Sequence, residues 1–142
     1  MSKSIKLKDN NYWDSRSVIH KGKTMYSILE DIKKDISFNS EYVYYEDLSF
    51  SCIKIGRIVI LNIYTLGFKK AMDNYVVFAS GLPKPTVYTV FYMYGGNGAC
   101  GTTARIAITG EGTLQTHWGA PPHYGESANK QYSCTLVYEA VE

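Results

Sequence analysis

The sequence has no apolar stretch long enough to cross a bilayer as a helix. Runs such as residues 58–61, Ile-Val-Ile-Leu, are short, whereas a spanning helix needs about 20 apolar residues. No apolar run follows Met1 either, so no secretion signal is expected and the chain is expected to be soluble. An excess of one charge is lacking too. Lys and Arg number 15 against 13 Asp and Glu, a net charge of +2, too small to argue for nucleic acid or an anionic membrane as partner. Basic residues crowd the first quarter, but Asp9, Asp14, Glu30, Asp31 and Asp35 offset them. That region reads as a mixed-charge, solvated face.

Cysteine is sparse. Cys52, Cys100 and Cys134 are odd in number and widely spaced, with no Cys-x-x-Cys pair, which argues against zinc ribbons and thioredoxin-like chemistry. Free or buried thiols in a reducing cytosol are expected. Catalysis through a nucleophile would need a base beside it. Cys100 with His117 or His123 could be imagined as such a pair, but nothing in their spacing requires it, and no catalytic residue is assigned. His20, His117 and His123 show no metal-ligand spacing, so neither metal nor cofactor is expected. The Gly-rich residues 95–101 are not followed by the Gly-Lys-Ser/Thr of a phosphate loop. Internal repeats and low-complexity tracts are absent.

What the sequence does have is tyrosine, 13 in 142 residues. Tyrosine favours strands and contact surfaces, having an apolar face and a polar tip. From residue 41 on, strand-like stretches follow one another: 42–45, 48–55, 57–66, 75–80, 87–94, 104–109, 113–118 and 132–139. Gly, Pro and Asn clusters separate most of them, and no helical period intervenes. A chain of this length buries a core without disulfides or metal, and such spacing predicts a β-sandwich or jelly-roll-like head over residues 41–142. The clearest hairpin turns at Gly110-Glu111-Gly112.

Residues 1–40 are read as a separate N-terminal segment. Residues 4–9 alternate as a short strand. Thr24 is a candidate N-cap for a helix over residues 25–36, where Met25, Leu29, Ile32 and Ile36 recur at coiled-coil spacing with Ile28 beside the seam. These five residues are the candidate oligomerisation set. Packing of a single amphipathic helix on its own domain would explain the same pattern.

The segment His117-Trp118-Gly119-Ala120-Pro121-Pro122-His123-Tyr124 concentrates flat rings and imidazoles in a proline-stiffened loop, which lowers the ordering cost of binding. Rings that stack on sugar C–H faces, next to hydrogen-bonding groups, suit a saccharide. Trp118, Tyr124, His117 and His123 are therefore candidate contacts, with Arg105 as a donor to a phosphate or carboxylate group. The competing reading puts Trp118 on the core face, in step with Leu114 and Thr116, with His117 outward beside Gln115. It leaves His123 and Tyr124 as ordinary exposed loop residues.

The opening residues Ile5-Lys6-Leu7-Lys8-Asp9-Asn10-Asn11-Tyr12-Trp13-Asp14-Ser15, with Val18-Ile19-His20 and residues 25–36, resemble the N-terminal segment of tail-fibre and baseplate receptor-binding proteins from phages and prophages of Gram-positive bacteria. Ala79-Ser80-Gly81-Leu82-Pro83-Lys84-Pro85, Arg105-Ile106-Ala107-Ile108 and the terminal strand are similar to the layout of their heads. The resemblance implies a homotrimer made in the bacterial cytoplasm and carried on the virion tail. It also implies a β head that adsorbs without catalysis to a host cell-wall or surface saccharide, alongside other tail or baseplate proteins. A structural fibre or baseplate subunit that binds no ligand is the alternative.

Overall fold

The computed structural model describes residues 19–20, 23–24, 29–95, 103–125 and 131–142. The chain divides into two compact units, residues 1–30 and 31–142. In the first, β1 (Ile19–His20) and β2 (Lys23–Thr24) pair antiparallel, with Ile19 opposite Thr24. The remaining strands are β3 (Leu29–Asp31), β4 (Ser37–Phe38), β5 (Ser49–Ile55), β6 (Ile58–Leu66), β7 (Val77–Ser80), β8 (Thr89–Gly95), β9 (Thr103–Ile108), β10 (Leu114–Thr116) and β11 (Tyr132–Glu139). The protein is mainly β, and these strands form one curled antiparallel sheet in the order β3-β5-β6-β11-β8-β9-β10-β7-β4.

Alternation produced these strands. Along β6, Val59, Leu61 and Ile63 face the core, while Ile58, Ile60, Asn62 and Tyr64 face outward. The same period puts Leu136 and Tyr138 of β11 inside and Thr135, Val137 and Glu139 outside. Gly56, at φ +59°, turns β5 into β6 so that Ile55 meets Ile58.

The helix expected over residues 25–36 is not what forms where the chain is described. Residues 29–31 are strand, and residues 33–35 are a single 3-10 turn opened by Asp31 Oδ1, which accepts from the Lys33 N–H at 3.1 Å. The candidate N-cap Thr24 lies in β2. Met25 and Ile28 lie outside the described residues. The 4-3-4 spacing marks a corner instead. Ile32 and Ile36 flank the 3-10 turn, and both point into the core of the second unit, leaving neither available as a seam between copies. Leu29, in β3, is exposed. The division of the chain into compact units falls at 30/31.

This corner serves both outer ends of the sheet. The Ile32 N–H donates to the Cys52 carbonyl of β5 at 3.0 Å, and Phe38 of β4 pairs with Ala79 of β7. Curling brings the ends together, and a file of rings fills the interior. Phe38 lies 4.9 Å from Phe50 and 6.4 Å from Phe78, and Phe68 meets Phe78 at 5.2 Å and Tyr132 at 6.1 Å. Edge and tilted contacts of this kind add to simple area burial.

Between β11 and β8 the ladder among the described residues is brief. There Tyr132 pairs with Gly95 and Ser133 with Tyr94. Beyond them β11 stays with β6 and β8 stays with β9, and the sheet opens between them.

Candidate functional site

A gathering of exposed rings lies at the end of β10. Thr116 is fully buried, and its hydroxyl donates to the Asp73 carbonyl at 2.6 Å and accepts from the Val76 N–H at 2.9 Å. Its carbonyl accepts from the Tyr75 N–H at 3.0 Å. These bonds hold Tyr75 at φ +63°, a left-handed conformation that costs a non-glycine residue roughly 1–2 kcal/mol. The Tyr75 ring then meets the His117 imidazole edge-on at 5.4 Å. Tyr88 lies on another side of the same imidazole at 6.3 Å, with its hydroxyl accepting from Gln115 Nε2 at 3.3 Å.

After His117 the chain folds over Arg105. The His117 N–H donates to the Arg105 carbonyl at 3.0 Å, and the Arg105 N–H donates to the Ala120 carbonyl at 2.9 Å. Residues 117–120 are thus pinned at both ends to one residue of β9. Gly119 makes the turn at φ +100°, which favours glycine. The loop lays the Trp118 ring over the guanidinium, 4.6 Å from its carbon, an arrangement attractive both as cation–π and as planar stacking.

The outcome for each candidate is specific. Leu114 and Thr116 do face the core, but Trp118 leaves that alternation at the turn and is 53% exposed. His117 shares the outward side with Gln115, yet it is only 8% exposed because the rings of Tyr75, Tyr88 and Trp118 cover it. Among the described residues, His117 Nδ1 and Arg105 Nε are buried without a hydrogen-bond partner. Two polar atoms left unsatisfied beneath one cluster of rings are costly unless something else meets them. Arg105 also lacks a carboxylate partner among the described residues; the ion pairs there are Arg57–Glu139 and Lys70–Glu41. The patch is aromatic and cationic.

His123 and Tyr124 are not part of it. Both are exposed and, with Pro121 and Pro122, they line a shallow hollow of about 390 Å³. The His123 N–H donates to the Tyr132 hydroxyl at 2.9 Å and the Gly125 N–H to the Phe68 carbonyl at 2.9 Å, so this stretch is fastened to the core by its backbone. Tyr75 and Tyr88, which the sequence did not single out, take their place beside His117. Each comes from a connection far away in sequence: Tyr75 precedes β7, which pairs with β10, and Tyr88 precedes β8, which pairs with β9 beside β10.

The two cysteines within the described residues are poor nucleophiles. Burial pushes the Cys52 thiol up to about 11, with Asp31 adding to the effect, and pushes Cys134 up to about 12. Cys100 lies outside the described residues. Among the described residues, no three His, Cys, Asp or Glu side chains gather as metal ligands. No protein-family model matches the sequence, and no curated protein is significantly similar to it.

Proposed function

We propose that this chain is a tail-tip receptor-binding protein of a phage or prophage, whose β head adsorbs without covalent chemistry to a host cell-surface carbohydrate. The observation that carries the binding reading is the patch of Trp118 stacked on Arg105 above the buried His117, with Tyr75 and Tyr88 at its sides. A sugar ring can lie on the exposed indole, and its hydroxyls or an attached anionic group can meet the remaining N–H groups of the partly exposed Arg105 guanidinium. The virion setting rests on the resemblance of residues 5–15 and of the head layout. In this reading the curled sheet is the sandwich-like head. Three copies multiply a weak single-site affinity, and they associate through residues outside the Ile32–Ile36 corner.

The test is retention of the purified chain on isolated Gram-positive cell walls. Trp118→Ala and Arg105→Ala are each expected to weaken retention about tenfold or more, as loss of a central stacked contact does, with melting temperature unchanged because both side chains are partly exposed. Undiminished retention by both variants would remove the site. A structural subunit without ligand is the second reading, favoured by the exposed Tyr64, Tyr92 and Tyr94, whose rings would suit packing against a neighbour. It predicts that no wall retains the wild-type chain.

A further inference from the structure

Where β8 and β11 part, the outward face of the sheet holds a hollow of about 610 Å³. Tyr92 and Tyr94 of β8 form one side, Ser133 and Thr135 of β11 the floor, and Asn62 and Tyr64 of β6 the other side. Among the described residues no charged side chain lines it. Tyr64, Tyr92 and Tyr94 are 55%, 44% and 60% exposed. Alternation along the strands dictates this, since the inward positions between them are Ile63 and Met93.

The polar groups here are partly set and partly free. Thr135 Oγ1 donates to Asn62 Oδ1 at 2.7 Å, which leaves the Asn62 amide N–H₂ for other partners, and Ser51 meets the Tyr64 hydroxyl at 3.1 Å. Among the described residues the hydroxyls of Tyr92, Tyr94 and Ser133 make no hydrogen bond. An apolar protein surface pressed onto this hollow would strip water from these donors and return nothing, at a cost for each group. A neutral sugar offers rings of C–H to the tyrosines and a hydroxyl to each donor.

The hollow lies on the same face of the sheet as the Trp118 patch. Tyr92 stands opposite Arg105 in the β8–β9 register, and Arg105 carries Trp118. From β10 through β9, β8 and β11 to β6 is four strand steps, which at the usual spacing of about 4.8 Å each is roughly 19 Å, and more where β8 and β11 part. We infer that the hollow is a second saccharide subsite, selective for an uncharged sugar, and that the ligand is a chain of several sugars laid across the strands from Trp118 to Tyr64. This rests on the saccharide reading of the Trp118 patch and adds to it the length of the ligand and its neutrality at one end.

The experiment uses saccharides released from the walls that retain the wild-type chain, separated into neutral and anionic pools and sized, then titrated by calorimetry. Chains of about four or more units that are neutral at one end or throughout are expected to bind about tenfold tighter than pairs, since linked subsites add. Tyr94→Ala and Asn62→Asp should each erase that gain while leaving the affinity for pairs within about twofold, because neither touches the first patch. Tyr94→Phe, which keeps the ring, should preserve most of the gain. Trp118→Ala should weaken every length. Equal binding of long and short chains, or a length gain untouched by both Tyr94→Ala and Asn62→Asp, overturns the subsite and leaves the Trp118 reading standing. Self-association of the chain that Tyr94→Ala abolishes, with no change in saccharide binding, overturns it in favour of protein packing. Failure of every wall to retain the wild-type chain overturns both readings.

Discussion

His117 shows how one residue's setting can invert its expected role. Imidazoles in loops are ordinarily solvated, yet here three rings enclose it and leave Nδ1 without a partner among the described residues. Cys52, Cys134 and Tyr138 are buried polar groups of another kind, and burial raises all three above their ordinary ionisation ranges. The sign of the consequence follows directly. Above the ordinary thiol value of 9.0 the unfolded chain releases protons that the folded chain keeps, so stability falls as pH rises. Melting temperature is expected to be insensitive to these groups below about pH 8 and to fall progressively from about pH 9 toward 11. A melting curve series that stays flat across that upper range would contradict the burial of these groups. Gly81, at φ +90°, has a fixed requirement of another kind, because a Cβ there would collide with the Asp35 carbonyl. Gly81→Ala should cost roughly 3 kcal/mol, from backbone strain plus displacement of the corner, measurable by denaturant titration.

At the level of elements, the strands were legible because alternation is a local signal. The stretches read at residues 48–55, 57–66 and 132–139 correspond closely to β5, β6 and β11. The structure departs from the expected helix over residues 29–36 because the spacing of Leu29, Ile32 and Ile36 fits a helix and also a strand followed by a 3-10 turn. Two inward isoleucines four apart fit a helix face or the two sides of a tight corner, and only the surrounding sheet decides. The site was half legible for a related reason. His117, Trp118 and Arg105 belong to one hairpin and its flank, whereas Tyr75 and Tyr88 arrive by long-range pairing that carries no local pattern. Placing Trp118 outside the core required the turn at Gly119. The corner assignment can be checked at this scale. Ile36→Ala should lower stability by about 2–5 kcal/mol, as for other buried aliphatic truncations, while light scattering gives the same particle mass as the wild type. A lowered mass would restore the seam expected from the sequence.

For the molecule as a whole, the outward face of the sheet carries the function proposed for it and the inward face carries the stability, with the two alternating residue by residue along each strand. That division explains why exposed tyrosines such as Tyr64, Tyr92 and Tyr94 are tolerated on a surface poor in charge, and why their replacement should alter binding with little effect on folding. The brief ladder between β8 and β11 has another consequence. β11 sits between β6 and β8, although β6 and β8 precede it by many residues in the chain. The two halves of the sheet, linked at their outer ends by the corner, therefore stay unpaired along this inner seam until synthesis has passed residue 133. During that interval each half exposes an open strand edge on the ribosome-bound chain, so this head is committed to closing late, in one long-range step.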